Sequence, residues 1–386
     1  MKLTTEFDEQ QRVLILAKRF PPLAGGIAQY SVEVARAYAR SGHEVIAVTQ
    51  ATTAKGWRRD PVEPHLAVLN VGRGNQAIAL VRFLIAVLQV RRSGRFSVVH
   101  ATTWKMGIVA RILLSRVPLV VTIHGREVLN VPNVLRPTFK WVLTGADLVL
   151  TVSRATMEAA KGALGGGIRR GSWEVAYNGL SFTGRASTFD RSETPRGDRV
   201  RVFSLCRLVP RKNIEGALRA VARARSLSKV AFEYVIAGSG PDRPRLESVA
   251  EALGVDDIVT FTGYVADDEV PGLYEAADIF LHPHTHVGEG RDFEGFGIAI
   301  ADALSFGCAC IVGSAGGPSE LVEHGVSGLL VDGEDDELVV GALVRLLNDP
   351  QLRSELGGAA REQSLQRFSW AEHVEPVSRL FGGGSR

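Results

Sequence analysis

Short apolar runs alternate with amphipathic helical patterns along almost the whole chain, and this alternation constrains the fold more than any other feature. Each run has the length of a buried strand, and most segments between runs have room for a helix. A strand, a helix and a second parallel strand form the repeating unit of a doubly wound α/β sheet. The predicted strands are Val13–Ala17, Glu44–Thr49, Ser97–His100, Leu119–Thr122, Leu148–Val152, Arg201–Leu205, Glu233–Ala237, Ile258–Thr262, Ile279–His282, Ala309–Val312 and Gly328–Val331.

The alternation divides into two regions of similar size. A chain of 386 residues is long for a single hydrophobic core. The polar stretch 182–198 has no hydrophobic period and contains Pro195 and Gly197, so we predict a linker there. We expect two doubly wound, Rossmann-like α/β domains, the first over residues 1–185 and the second over 186–366, with a terminal helix in 367–386. Ligands of such sheets bind outside the carboxyl ends of the strands, which predicts a cleft where the domains face each other.

Charge is unevenly distributed between the two halves. Residues 1–190 carry 25 Lys and Arg against 12 Asp and Glu, a net charge of +13, whereas the remaining residues have a net charge of −10. A basic first domain favours an anionic partner, such as a membrane surface or a lipid-linked diphosphate. A solubilising surface, or attraction between the two domains, is the alternative.

No segment predicts secretion or a membrane span. The first twelve residues lack the basic and apolar segments of a signal peptide. Ala77–Val90 is too short to cross a bilayer, but three arginines follow it, so it either lies on a membrane surface or packs on the first sheet as a helix. The three cysteines have no paired spacing and are predicted to be core thiols in a reducing compartment. We therefore expect a cytoplasmic protein whose first domain could touch the inner face of the membrane.

Two cations in the run CRLVPRKN come just after a predicted strand. Arg207 offers a planar guanidinium and Lys212 a compact ammonium, a combination that suits a diphosphate. Two solvated surface cations would give the same pattern, so the pair alone leaves both interpretations open.

The run EGFGIAIAD reads as a turn that opens directly into a helix. The turn consists of Gly295, Phe296, Gly297 and Ile298. Helix N-termini hold anions through free N–H groups, and glycine allows close approach of a ligand. Glu294 precedes the turn and Asp302 lies eight residues later on a neighbouring face, where it could accept hydrogen bonds from ribose hydroxyls. A loop carboxylate and an exposed helix residue are the structural alternatives.

Three further positions lie at predicted strand ends or helix starts. His124 follows a strand in TIHG, where it could contact a ligand or form a structural hydrogen bond. Gly25 and Gly26 precede the first helix. Gly238 and Gly240 follow a strand in AGSG, a pattern that allows close approach of a ligand but is more often a simple turn.

Taken in order, these motifs resemble those of the GT4 retaining glycosyltransferases, which have GT-B architecture. The resemblance runs from about residue 12 to 380 and rests on Gly25-Gly26, TIHG, RLVPRKN, AGSG, FTGYV, EGFG with its later Asp, and GGPSE. It implies transfer of a hexose from a nucleoside-diphosphate sugar to an acceptor hydroxyl with retention of configuration. The run GRDFEGFGI is similar to mannosyl-type members, which favours GDP-mannose or a related GDP-sugar, with a UDP-sugar as the alternative. Together with the basic first domain, this favours a lipid-linked or cell-envelope saccharide as acceptor, without cofactor, metal or nucleic-acid partner.

The resemblance also implies roles for individual residues. Arg207 and Lys212 would bind the donor diphosphate, and Glu294 the donor-sugar hydroxyls. The amides of Phe296 to Ile298 would hold phosphate, Val265 in FTGYV would contact the base through its main chain, and His124 would contact the sugar near the reacting carbon. The terminal helix would return to the first domain.

The chain departs from the family pattern in two places. Asp302 stands where the family has a second Glu, and Tyr177 precedes the Asn-Gly turn where a Pro is common. His284 and His286 suggest a metal, but we expect loop hydrogen bonders. Two other functions stay open on the same scaffold: a sugar-nucleotide 2-epimerase, and a non-catalytic nucleotide-sugar-binding subunit.

Overall fold

The structure, a computed structural model, describes residues 11–23, 25–52, 55–73, 76–165, 171–191, 198–288 and 292–381 of the chain. It divides into two compact units. The first contains Met1–Gly179 together with Trp370–Arg386, and the second contains Leu180–Ser369.

The first unit is built on a mostly parallel sheet. Its strands are β1 (Arg12–Ala17), β2 (Glu44–Thr49), β3 (Gly56–Arg59), β4 (Leu66–Asn70), β5 (Val98–Ala101), β6 (Leu119–Ile123), β7 (Leu148–Thr151) and β8 (Ser172–Val175). They lie in the order β3-β4-β2-β1-β5-β6-β7-β8, and only β3 runs antiparallel to its neighbour. The helices of this unit are α1 (Gly26–Arg40), α2 (Gln76–Arg92), α3 (Trp104–Leu113), α4 (Arg126–Leu129), α5 (Arg136–Thr144), α6 (Arg154–Leu164) and α14 (Trp370–Val374).

The second unit is built on an all-parallel sheet. Its strands are β9 (Val200–Leu205), β10 (Phe232–Ala237), β11 (Val259–Gly263), β12 (Ile279–His282), β13 (Ala309–Gly313) and β14 (Leu329–Val331), in the order β11-β10-β9-β12-β13-β14. Its helices are α7 (Thr183–Thr188), α8 (Ile214–Leu227), α9 (Arg243–Ala252), α10 (Val270–Ala276), α11 (Ile298–Ser305), α12 (Asp336–Asn348) and α13 (Pro350–Arg367).

The apolar runs therefore predicted the architecture correctly: two doubly wound, parallel-sheet domains are confirmed. The central strands are buried over nearly their whole length, as expected for strands covered by helices on both faces. Three strands of the first unit were missed. The sequences of β3 and β8, GWRR and SWEV, belong to exposed or half-exposed edges and carry no apolar run. The third, β4, has an apolar sequence but was not distinguished from its surroundings.

Two segments differ from their predicted form. The proposed linker 182–198 contains the short helix α7, and Pro195 and Gly197 lie outside the described residues. The terminal segment is not one α-helix, because α14 gives way to a 3-10 turn at Glu375–Leu380. Pro376 explains the change, since it has no N–H for an α-helical hydrogen bond. Nevertheless, α14 packs against α1, so the end of the chain belongs to the first unit as the family resemblance implied.

The three cysteines and one side of α2 are buried in the interior of the protein. Cys206, Cys308 and Cys310 are buried free thiols. One side of α2 joins the first core, packing near β2 and α3. No helix in the described part of the chain is long and apolar enough to span a bilayer.

Candidate active site

Lys212 and Glu294 form a short, mostly buried ion pair in the second unit. Lys212 ends a 3-10 turn that follows β9, and Glu294 lies in the loop between β12 and α11. Lys212 Nζ is 2.6 Å from Glu294 Oε2, and the two side chains are 9% and 16% exposed. The residues meet because β9 and β12 are parallel neighbours whose carboxyl ends share one edge of the sheet.

Each member of the pair keeps one polar group for another partner. An ammonium has three N–H donors. Lys212 Nζ lies within hydrogen-bond reach of Glu294 and, at 3.4 Å, of His282 Nε2, and its third N–H has no partner among the described residues. Glu294 Oε1 likewise accepts no hydrogen bond from them. A donor and an acceptor side by side can bind an anion and a neighbouring hydroxyl.

Positive neighbours keep Glu294 ionised. Burial alone would raise the pKa of its carboxyl, but the charges of Lys212 and Arg211 and the Lys212 hydrogen bond outweigh burial and lower that pKa to about 2. Arg211 Nε lies 3.4 Å from Glu294 Oε2 and 3.8 Å from Asp292 Oδ1. Arg211 was not predicted as a site residue. The 3-10 turn Pro210–Lys212 is what brings both cations to one carboxylate.

Arg207 has a different environment from Lys212. It follows β9 and Cys206, its side chain is exposed, and it makes no hydrogen bond or ion pair with any described residue. The structure therefore does not join Arg207 to the Lys212–Glu294 pair directly. Its guanidinium is available to a ligand, which leaves its predicted role in diphosphate binding as a prediction.

The turn before α11 leaves main-chain donors open at the start of the helix. Gly297 adopts φ 93°, a left-handed conformation that favours glycine, and caps the helix without a side-chain hydrogen bond. The N–H groups of Ile298 and Ala299 donate to no described residue, whereas those of Ile300 and Ala301 bind the Gly297 carbonyl. Phe296 is buried, with its ring 5.8 Å from that of Phe368. The open N–H groups of residues 298 and 299 can donate hydrogen bonds to an anion.

Asp302 is buried in α11, so the alternative that it is an exposed helix residue is wrong. It is 3% exposed. Its Oδ1 accepts a hydrogen bond from the main-chain N–H of Ser181 at 2.8 Å. This carboxylate therefore ties the first residues of the second unit to α11. Contact of Asp302 with a ribose stays a prediction, and the carboxylate already binds the Ser181 N–H.

The glycines of AGSG have a packing role. A Cβ on Gly238 would lie 1.9 Å from the Cys206 carbonyl oxygen, and one on Gly240 would lie 2.1 Å from the Leu208 carbonyl oxygen. Both glycines therefore let the turn after β10 press against the segment that leads to Lys212. Val265, after β11, is half-buried, and its main chain makes no hydrogen bond with the rest of the described chain. This leaves its N–H and carbonyl available for the predicted contact with a base.

Two buried histidines lie behind Lys212, and sequence reasoning assigned neither to the site. His282 ends β12, and its Nδ1 is 3.2 Å from Nδ1 of His284. His284 Nε2 is 2.6 Å from the Ala315 carbonyl oxygen, so the expectation that His284 is a loop hydrogen bonder is confirmed. His286 differs: it is exposed and forms no hydrogen bond with a described residue. His282 could have been noticed because it is a polar residue at the end of an otherwise apolar strand.

In the first unit, His124 is held with one ring nitrogen open. Its Nε2 lies 2.8 Å from the Thr102 carbonyl oxygen, so we assign the ring proton to Nε2. Its main-chain N–H donates to Glu127 Oε1 at 2.5 Å. The Tyr30 ring contacts it edge-on, with 4.5 Å between centroids. Nδ1 has no partner among the described residues and can accept a hydrogen bond from a ligand hydroxyl.

The first helix begins with open donors too. Gly25 has φ 116° and caps α1, whose first residue is Gly26. A Cβ on Gly25 would meet no atom within 4 Å, so the backbone conformation, rather than crowding, favours glycine there. The N–H groups of Gly26 and Ile27 bind no described residue. Their position suits an anionic or hydroxylated ligand.

A directed chain of buried hydrogen bonds ties the end of the protein to this unit. His373 Nδ1 lies 3.0 Å from the Tyr177 carbonyl oxygen, so its Nε2 must accept from Tyr30 Oη at 2.8 Å. Tyr30 in turn accepts from Thr122 Oγ1 at 2.7 Å, which accepts from His100 Nε2 at the same distance. Each hydroxyl and ring nitrogen is used, because burial leaves no water to replace a missing partner.

No group of three or more His, Cys, Asp or Glu in the described part of the chain is arranged to hold a metal ion. The residues that the structure does gather, cations and open N–H groups around one carboxylate, are those of an anion and hydroxyl site. At the carboxyl ends of the strands of a doubly wound sheet, they suit a ligand that combines a phosphate with hydroxyl groups.

Comparison with known proteins gives the family. Residues 25–179 match the glycosyl transferase 4-like domain, and residues 186–363 match glycosyl transferases group 1. The chain is 32% identical over 376 residues to the GDP-mannose-dependent alpha-(1-6)-phosphatidylinositol monomannoside mannosyltransferase of Mycobacterium tuberculosis, covering 93% of this chain and 95% of the relative. It is 28% identical over 420 residues to the D-inositol 3-phosphate glycosyltransferase of Salinispora arenicola, covering 96% and 92%. The protein belongs to the GT4 family of glycosyltransferases, as its motifs predicted.

Solved structures agree on the fold. Sucrose-phosphate synthase from Thermosynechococcus elongatus superposes with a TM-score of 0.78 at 20% identity, covering 97% of this chain and 98% of the other. Anabaena HepE in complex with UDP and glucose gives a TM-score of 0.73 at 22% identity, covering 97% and 100%. Both similarities span both units and support the GT-B architecture. The family matches and the mannosyltransferase relative establish glycosyltransferase activity for this chain.

Proposed function

We propose that this protein is a retaining mannosyltransferase that uses GDP-mannose and acts on a lipid-linked saccharide. The observation that supports the donor most strongly is identity along nearly the whole chain to a mannosyltransferase described as GDP-mannose-dependent. That relative's name also specifies a phosphatidylinositol-linked acceptor, which suits the basic first half of this chain. A related glycolipid is therefore the acceptor class that we propose.

In this proposal the second unit binds the donor. Lys212, through its third N–H, and the exposed Arg207 hold the diphosphate, and the N–H groups of Ile298 and Ala299 supply further donors. Glu294 accepts hydrogen bonds from sugar hydroxyls through Oε1. His124 of the first unit contacts the transferred sugar through Nδ1.

The proposed chemistry needs no protein nucleophile. The bond between the anomeric carbon and the diphosphate oxygen breaks, and the acceptor oxygen attacks the same face of the sugar. The acceptor proton passes to the departing diphosphate, which leaves the anomeric configuration unchanged. Lys212 and Arg207 stabilise the negative charge that grows on the leaving group, where electrostatic stabilisation is most effective.

A panel of nucleoside diphosphates tests the donor. A ligand that binds only the native state raises the unfolding temperature. We expect GDP to raise it more than UDP or ADP at equal concentration, and Lys212→Ala to remove most of the effect. Preferential stabilisation by UDP would replace the proposed donor, and no response to any of the three would contradict a nucleotide-sugar site.

The outer side of α2 supports a peripheral membrane contact. The helix is apolar on two sides: Phe83, Ala86, Val87 and Val90 are buried in the first core, whereas Ile78, Val81, Ile85 and Leu88 are exposed. The exposed four recur at helical spacing and form one stripe, and a helix that is apolar all round is normally covered. Arg91, Arg92 and Arg95 follow and are exposed. We propose that this stripe lies on an anionic lipid surface that carries the acceptor.

Vesicle sedimentation tests this contact. The full-length protein should pellet with vesicles that contain anionic lipid and release as salt rises, because each basic residue near the surface contributes about 1 kcal/mol and salt screens it. The double variant Val81→Asp/Ile85→Asp should lose most of this binding. Leu338→Asp, at a 51% exposed leucine of the second unit, is the matched control and should bind like wild type. Equal loss in both variants, or no binding even at low salt, would indicate an acceptor that is not membrane-bound.

A further inference from the structure

Lys212, which we propose to bind the diphosphate, belongs to a closed ring of hydrogen bonds and short backbone segments. The ring runs from Lys212 through His282 and His284 to the loop Ala315–Gly317, and from there through Glu294 back to Lys212. Gly317 N–H donates to the Glu294 carbonyl at 3.0 Å, and a Cβ on Gly316 would lie 2.7 Å from that same oxygen. The GGPSE motif, to which no role was assigned, thus supports the backbone of Glu294, and Ala315 just before the motif accepts a hydrogen bond from His284.

The protons of the two histidines can be placed. Both imidazoles are buried, His284 at 0% and His282 at 1% exposure, and burial lowers the pKa of each, so both are neutral at pH 7. A contact of 2.6 Å to the Ala315 carbonyl requires the proton of His284 on Nε2. His284 Nδ1 then has no proton; it lies 3.2 Å from both His282 Nδ1 and the His282 carbonyl oxygen, and it accepts the hydrogen bond of His282 Nδ1–H. This leaves His282 Nε2 as a lone-pair acceptor facing Lys212 Nζ at 3.4 Å.

The backbone around the histidines fixes their positions. Asn213 Nδ2 donates to the Pro283 and Gly333 carbonyls at 3.1 and 2.6 Å. Thr285 N–H donates to the Arg211 carbonyl at 2.9 Å. A Cβ on Gly313 would lie 2.1 Å from the His284 carbonyl oxygen. The segment that carries both imidazoles is therefore attached to the segment that carries Lys212, with little room for movement.

From this geometry we infer that His282 is a positioning residue for Lys212 and that His284 sets its tautomer. An ammonium that is nearly buried needs acceptors for its N–H groups. Glu294 satisfies one and His282 satisfies a second, which directs the third to the ligand. A neutral acceptor does this without cancelling the positive charge that the leaving group requires. The inference rests on the proposed role of Lys212 in diphosphate binding.

Three variants separate positioning from packing. His282→Leu removes the acceptor, whereas His282→Gln can present an amide oxygen close to the position of Nε2. His286→Leu makes the same change two residues beyond His284, at an exposed side chain, and should behave like wild type. We expect His282→Leu to lower kcat for GDP release from GDP-mannose about tenfold with KM for GDP-mannose within threefold, because the charge on the leaving group grows in the transition state. His282→Gln should recover kcat to within threefold of wild type.

Unfolding of the same variants makes the test independent of catalysis. Lys212→Met, His282→Leu and the double variant form a cycle whose non-additivity measures the contact between the two side chains. Non-additive unfolding free energies with rescue by Gln support the inference. If wild type binds no GDP but the cycle is non-additive, the proposed function fails while the contact stands. Additive effects, wild-type kcat in His282→Leu, or equal kcat losses in the Leu and Gln variants would overturn the inference.

Discussion

Replacing Glu294 by Gln removes the negative charge that faces Lys212 and Arg211 and changes the shape of the side chain very little. In the native protein the pKa of this carboxyl falls from an ordinary 4.5 to about 2. A difference of this size between native and unfolded states corresponds to about 3 kcal/mol of stability at neutral pH, at about 1.4 kcal/mol per pKa unit. Removal of one partner of a buried ion pair independently suggests about 3–5 kcal/mol. We therefore expect Glu294→Gln to lower the free energy of unfolding by about 3 kcal/mol at pH 7.

The pH dependence of this loss has a definite sign. Because the native pKa is depressed, the carboxylate stabilises the fold above its unfolded pKa of 4.5, and that contribution disappears as pH falls towards 2. The difference between wild type and Glu294→Gln should be constant above about pH 6, should fall by more than half by about pH 3, and should approach zero near pH 2.

Denaturant unfolding without ligand measures the effect. All five tryptophans lie in the first unit, so their fluorescence follows that unit, whereas far-UV circular dichroism follows both. We expect the dichroism transition of Glu294→Gln to shift to lower denaturant. Glu334→Gln, at an exposed carboxylate without an ion pair to a described residue, is the control and should shift neither signal. Equal stability of Glu294→Gln and wild type at pH 7, or a difference that persists undiminished at pH 2, would refute the ion-pair assignment.

Three further predictions concern other parts of both units. Lys212→Ala should lower kcat/KM by about 10²-fold, about 2.7 kcal/mol, in steady-state transfer assays, and turnover within threefold of wild type would remove it from the leaving-group site. Asp302→Ala should lower the unfolding free energy by about 1.5–3 kcal/mol, because the Ser181 N–H loses a charged acceptor, and should also weaken GDP binding in calorimetry if the carboxylate contacts ribose. Tyr30→Phe should cost about 1–3 kcal/mol in chemical unfolding because His373 Nε2 loses its buried donor, and an unchanged midpoint would contradict the directed hydrogen-bond chain.

The strands that could be predicted are those whose burial is visible in their own sequence. A fully buried parallel strand needs a continuous apolar run, and Glu44–Thr49 and Ile279–His282 were predicted with their observed bounds. The edge strands β3 and β8 lack that signal because their partners and burial come from the tertiary fold. The break in the terminal helix was readable from Pro376 but was overlooked.

The site was predictable as a set of residue types at strand ends, and less so as a set of contacts. The sequence indicated Lys212 and Glu294 separately, but only the adjacency of β9 and β12 pairs them. Arg211 joins them through a local 3-10 turn that propensity does not reveal. His282 was not singled out, and His284 was predicted only as a loop hydrogen bonder, because their contact with the site depends on ring nitrogens and one carbonyl, which sequence spacing does not encode. At Asp302 the motif predicted a contact with a ribose, but the sequence did not reveal that its carboxylate also accepts a hydrogen bond from the main chain of Ser181.

The most direct test of the account is transfer of labelled mannose. Purified full-length protein would be incubated with GDP-[¹⁴C]mannose and phosphatidylinositol-mannoside vesicles, with UDP-glucose as the alternative donor and Glu294→Gln as the matched variant. We predict label in the lipid phase, release of GDP in equal amount, an α-linked product by NMR, and strongly reduced transfer by Glu294→Gln. Absence of transfer from GDP-mannose together with transfer from UDP-glucose would contradict the proposed donor, and a β-linked product would contradict retention.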